Sequence, residues 1–165
     1  MSGTNRLGRV LRYGTGLALL GATVLAGCAG GPARDEETGE LLQAADIGVF
    51  DLQVGDCLAE FDDEGEVTTV RAVPCAEEHA AEIFVSVEVP DGDEYPGDQA
   101  IQDFAHDVCP DRFAEFVGVP WEESEYDYSY LGPTQTSWDG GDREVLCTVG
   151  HRHRPVTGSL EGAGD

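Results

Sequence analysis

The run Cys75-Ala-Glu-Glu-His79-Ala-Ala-Glu82 holds the residue types best suited to chemistry in this 165-residue chain. A histidine and a carboxylate three residues apart can share a divalent metal when both lie on one helix face. With a further ligand such as His106 they would serve a metal-dependent hydrolase of the cell envelope. A structural role competes with this reading. The residues entering Ile83 alternate as a strand does, and on a strand a separation of three sends two side chains to opposite faces. The His-Glu-x-x-His arrangement of zinc hydrolases is also missing. His79 is therefore expected to hydrogen-bond locally and order the turn before the strand, with no metal or other cofactor bound.

Other candidates are weaker. His151-Arg152-His153-Arg154 places two histidines on one side of an extended segment, but near a chain end a solvated cluster is the expected outcome. Asp91-Gly92-Asp93-Glu94 has acids without the twelve-residue ligand pattern of a calcium loop. No Gly-x-Ser-x-Gly elbow occurs, and no carboxylate pair stands out among 33 acids. No catalytic residue is assigned.

The cysteines depend on location. Arg6, Arg9 and Arg12 precede an uncharged apolar run, and Leu25-Ala26-Gly27-Cys28 then resembles a bacterial lipobox. Residues 1–27 read as a lipoprotein signal peptide. Cys28 reads as a diacylglyceryl-modified mature N-terminus carrying fatty-acyl chains such as palmitate, which fixes the domain to the outer face of the plasma membrane. Four thiols remain, at Cys57, Cys75, Cys109 and Cys147, and none forms a Cys-x-x-Cys pair. In an oxidising compartment two disulfides are the natural result, leaving no nucleophilic thiol.

Charge limits the partners. The net charge is −24, and loss of three arginines and no acid with the signal leaves −27. Such a surface repels nucleic acid and anionic headgroups, so neither is expected as a direct partner.

These side chains need elements to hold them. Residues 28–46 mix Gly, Ala, Pro and acids and read as a flexible tether. The domain is expected over 47–154. Val49 to Leu58, broken at Gly55-Asp56, and Val67 to Val73 read as a hairpin turning at Asp62 to Gly65. Folding back there puts Cys57 and Cys75 on neighbouring strands, so these two pair and Cys109 joins Cys147 by elimination. Ile83, Val85, Val87 and Val89 recur at period two and predict a strand with one buried face. Asp98 reads as a helix N-cap ahead of Ile101, Phe104, Ala105 and Val108, with Pro110 as a break and Gly118 as the stop. Tyr126, Tyr128 and Tyr130 predict a packed aromatic row on one strand face. Trp138 to Asp142 reads as a turn, Arg143 to Val149 as the closing strand, and residues 155–165 as a disordered tail. The fold class is α+β: a small antiparallel sheet with one packed helix, clamped by two disulfides.

Val49-Phe50-Asp51-Leu52-Gln53-Val54-Gly55-Asp56-Cys57-Leu58, then Val73-Pro74-Cys75 with His79 and Glu82, then Tyr95-Pro96-Gly97, Cys109, Trp138 and Gly141-Asp142-Arg143 before Cys147, together resemble the septum formation domain of actinobacterial envelope proteins. The resemblance runs from about Val49 to Val149. It implies an extracytoplasmic, disulfide-held α+β domain with a part in septum formation, and no established reaction. It assigns Gly55, Asp56, His79, Glu82, Trp138, Asp142 and Arg143 to the framework, with Asp142 and Arg143 as an ion pair beside a bridge. The expected protein is a non-catalytic binding or scaffolding module whose partner is another envelope or division protein.

Overall fold

The period-two run beginning at Ala81 is a strand at the centre of an antiparallel sheet. The computed structural model describes residues 31–61, 67–90 and 92–164; Cys28, the expected signal peptide and the expected turn at Asp62 to Gly65 lie outside the described residues. In chain order the elements are β1 (Ala45–Gly48), β2 (Cys57–Leu58), β3 (Thr69–Val73), β4 (Ala81–Glu88), α1 (Asp98–Val117), β5 (Tyr126–Leu131), α2 (Gln135–Asp139) and β6 (Glu144–His151). The six strands lie in the order β1-β3-β2-β4-β6-β5. All pairs are antiparallel.

The expected first hairpin is rearranged. Strand β3 pairs with β1 over Ala45 to Gly48, and its other edge takes the two-residue β2, with Cys57 opposite Val73. Val49 to Asp51 forms a single 3-10 turn. Of the expected strand from Val49 to Leu58 only Cys57-Leu58, after the interruption at Gly55-Asp56, is extended, and the outer partner of β3 is instead Ala45–Gly48, just upstream of that run.

Both faces of the curled sheet are covered, which is why Ala81 to Phe84 are all buried. One face carries Phe84, Val145, Cys147 and Val149 beneath α1. The other gathers Ile47, Leu58, Ala72, Ile83, Leu131 and Leu146 into a second cluster, which also takes in Leu41 and Leu52. Alternation along β6 feeds the two cores in turn, as strand geometry requires.

Helix α1 buries Ile101, Ala105, Cys109, Phe113 and Val117, one residue every four. The expected break does not occur: Pro110 sits inside a continuous helix. An internal proline costs one main-chain hydrogen bond and about 3 kcal/mol, which the Cys109–Cys147 bridge and buried Phe113 on either side offset. The N-cap is Gly97, not Asp98, and Asp98 occupies the first turn. Gly118 ends the helix at φ 97°, where its N–H reaches the Ala114 carbonyl, a left-handed cap that favours glycine. Trp138, expected in a turn, lies on α2, where the Thr134 and Ser137 side chains form a capping box.

Both expected disulfides are present. Cys57–Cys75 joins β2 to the loop after β3, and Cys109–Cys147 joins α1 to β6. The fold is therefore the expected α+β domain: an antiparallel sheet, one main helix and two bridges.

The domain is larger than its expected bounds. Residues 31–46 are not all tether: Arg34 bridges Leu41, and Leu41 is buried in the second cluster. Of the expected disordered tail over 155–165, the described residues 155–164 are docked: Val156 forms a bridge with His79, and both Val156 and Leu160 are buried in the helix-side core. In each case one or two apolar residues suffice, because they carry neighbouring polar groups to partners in the core.

Candidate functional site

The framework residues around the first disulfide form a buried polar clasp. Gly55 turns the chain at φ 91° and presents Asp56, which is 1% exposed. Both Asp56 oxygens accept from the Arg34 guanidinium, and Oδ2 also accepts from the Gln53 N–H at 2.9 Å. The hydrogen bond to Asp56 raises the pKa of Arg34. Sequence reasoning missed this pair because Arg34 sits 22 residues upstream in an acid-rich stretch.

His79 is fully buried. Its main chain exchanges two hydrogen bonds with Val156, at 3.0 and 2.9 Å. The Nδ1 atom lies 2.9 Å from the Glu77 carbonyl; because a carbonyl only accepts, Nδ1 carries the proton there. That is the local turn-ordering bond expected of His79. Nε2 is buried with no hydrogen-bond partner.

Glu82 is 3% exposed and accepts from the Ser159 hydroxyl and the Leu160 N–H, both at 2.7 Å. Burial raises its pKa, opposed by those two hydrogen bonds and by His79. The expectation that His79 and Glu82 point apart is overturned. Ligand-type atoms of Cys57, His79 and Glu82 all lie within 4.8 Å of one another. Strand parity fails because β4 starts at Ala81, so His79 belongs to the preceding turn and is positioned by Val156. His106 is not in this group, and the Cys57 sulfur is bonded to Cys75.

At the other end of the sheet, Trp138 is 2% exposed and the Arg143 guanidinium stacks 3.6 Å from its ring centroid. The Asp142–Arg143 ion pair does not form. Asp142 accepts from the Glu144 N–H, while Arg143 donates to the carbonyls of Trp138 and Asp142. The aromatic face and two carbonyls hold the guanidinium where a carboxylate was expected.

The tyrosine row is packed as expected. Tyr128 meets Trp121 and His106 edge to face, Tyr130 meets His106, and Tyr126 meets His151. His151 lies 3.6 Å from Glu125 and accepts from the His153 N–H, so the two histidines bond locally.

Sequence reasoning missed a groove of about 1070 Å³ that runs beside edge strand β5. Tyr128 to Leu131 line it, with His106 and Gln102 from α1 and Phe50 and Val67 from the segments flanking β1 and β3. Asp98, Asp142 and Glu144 add carboxylates. Tyr95 donates to Asp98 Oδ1 at 2.7 Å and lies 3.1 Å from the Pro133 carbonyl. Burial, then Asp98, pushes the Tyr95 phenol up to about 12. His106 Nδ1 and the Tyr128 hydroxyl are 2.8 Å apart. Phe50, at 71% exposed, is the one signal that could have marked the groove, but its run reads as a strand.

No curated protein and no solved structure matches the chain. A family model described as "Septum formation" matches residues 35–162, which takes in both Leu41 and the Leu160 segment, beyond the bounds expected from sequence. With that match over most of its length, the chain belongs to the septum formation family.

Proposed function

We propose that this septum formation protein is a lipoprotein, acylated at Cys28, whose domain works outside the cytoplasm as a non-catalytic binding module of the dividing envelope. The observation that carries the reading is the groove beside β5. It is lined by Tyr95, Tyr128, Tyr130 and Phe50 together with hydroxyls and carboxylates, on a twice-bridged scaffold, and aromatic side chains are the residues enriched at recognition surfaces. The two disulfides support an oxidising compartment, and the family supports a role linked to cell division.

The test has two parts. Fractionation of a Cys28→Ala variant is expected to lose stable membrane attachment, and retention in the membrane fraction would count against the anchor. A fluorescent fusion is expected to concentrate at division sites, and uniform peripheral signal would count against the septal role.

One observation favours a second reading, a metal-dependent hydrolase: the closeness of Cys57, His79 and Glu82. The three are 0%, 0% and 3% exposed, so the cluster sits inside the core, away from the groove that a substrate could enter. Elemental analysis decides between the two, with stoichiometric zinc lost on His79→Ala favouring the hydrolase.

A further inference from the structure

We infer that the groove beside β5 binds an extended, arginine- or lysine-bearing polypeptide segment, an inference that rests on the binding-module reading above. Three features of the groove select this occupant.

The first is shape. The groove follows an edge strand and is lined by residues packed on both faces of the sheet, Ile101 from the helix-side core and Val49 and Val67 from the second cluster. Tyr128 to Leu131 alone span about 13 Å at strand rise. The volume slightly exceeds the 300 to 1000 Å³ typical of small-molecule pockets (roughly), which suits several residues of an extended chain.

Charge is the second. Asp98, Asp142 and Glu144 bring three carboxylates to one groove. Among the described residues their contacts are hydrogen bonds from Tyr95, the Glu144 N–H and the Ser86 hydroxyl. Among the described residues no ion pair joins an arginine to these three acids: Arg34, Arg71, Arg112 and Arg152 pair with Asp56, Asp46, Glu115 and Asp127, Arg143 holds Trp138 and main-chain carbonyls, and Arg154 is not among the groove's lining residues. The net charge of −24 adds long-range attraction for a cationic partner.

Aromatic surface is the third. Phe50, Tyr95 and Tyr128 bring rings to a lining that also carries carboxylates, and a guanidinium can stack on a ring while donating to a carboxylate. Arg143 over Trp138 is this chain's own instance of guanidinium stacking.

The experiment uses full-length protein in detergent and a ten-residue peptide alternating arginine and threonine, with binding read by fluorescence anisotropy. A peptide with citrulline in place of arginine keeps the shape and removes the charge. Asp98→Asn, Asp142→Asn and Glu144→Gln are combined in one variant; each retains an acceptor oxygen for its present hydrogen bond. A matched variant neutralises three exposed acids away from the groove, Glu36→Gln, Glu78→Gln and Asp111→Asn. Both variants change net charge equally.

The arginine peptide is expected to bind, with the citrulline peptide and the groove variant each weaker by about tenfold or more, and the matched variant within about threefold of the parent. Equal weakening by both variants would reduce the interaction to diffuse charge attraction and overturn the inference. So would absence of binding, or tighter binding of a neutral N-acetylglucosamine hexamer than of the peptide. Matching thermal transitions establish that both variants fold. Septal enrichment without peptide binding removes this occupant and leaves the binding-module reading standing; peptide binding without septal enrichment does the reverse.

Discussion

Replacing Ser159 with alanine tests whether the C-terminal segment is part of the folded domain. The Ser159 hydroxyl donates to Glu82 at 2.7 Å, and Leu160 donates its N–H to the other carboxylate oxygen. A hydrogen bond to a buried charge contributes about 1.5 to 3 kcal/mol. Ser159 itself lies at the surface, so water can replace its hydroxyl in part, and we expect a loss of about 1.5 kcal/mol at neutral pH. With a urea slope of about 2 kcal/mol/M, the unfolding midpoint falls by about 0.7 M. The pH dependence is more specific than the size. Glu82 ordinarily titrates near 4.5, and burial raises it in the fold. Its contribution to stability is therefore fully present below 4.5 and is lost as pH rises through the higher folded value. Removing the hydroxyl raises that folded value further, so parent and variant curves should converge in acid and separate as pH climbs above 4.5. Leu160→Ala, at a 4% exposed site, should cost about 2 to 5 kcal/mol. If both variants stay within about 0.5 kcal/mol of the parent at every pH, the segment is not docked and the reasoning fails.

Arg34→Ala should destabilise the protein by about 3 kcal/mol in urea unfolding, because it strands the buried Asp56 carboxylate. Removing each disulfide as a double alanine variant should cost about 2 to 4 kcal/mol, and loop-closure entropy makes Cys109–Cys147 the dearer by about 0.7 kcal/mol, since it spans 38 residues against 18; equal calorimetric shifts would contradict that ordering. Gly150→Ala should prevent stable folding, because the Ala80 carbonyl oxygen occupies the place of the new methyl group; a cooperative melt within a few degrees of the parent would refute the close approach.

Local patterns announced β4, α1 and the tyrosine strand, because each is written in nearby residues: period two from Ile83, three- and four-residue spacing from Ile101, aromatic alternation from Tyr126. The bridges followed from folding the chain back between Cys57 and Cys75, with Cys109 and Cys147 paired by elimination. Features built from distant residues stayed hidden. Arg34 with Asp56, and Glu82 with Leu160, join segments 22 and 78 residues apart, and nothing in either segment names its partner. His79 escapes the parity rule because that rule holds only inside a strand, and the strand begins two residues later. Pro110 does not end the helix because a proline's cost is local while the forces holding α1 together are tertiary. The groove is a meeting of four segments, none unusual alone, and only Phe50 hinted at it.

Arg34 docked on Asp56 sets a short leash. With an acyl group on Cys28, as proposed, only residues 29–33 separate the lipid-bearing residue from the first fastened side chain, six backbone steps with a reach of about 20 Å. The near side of the domain would ride within about two nanometres of the bilayer surface. Whatever it captures must come to the membrane, and lengthening that leash by a dozen residues would change where it searches without altering what it holds.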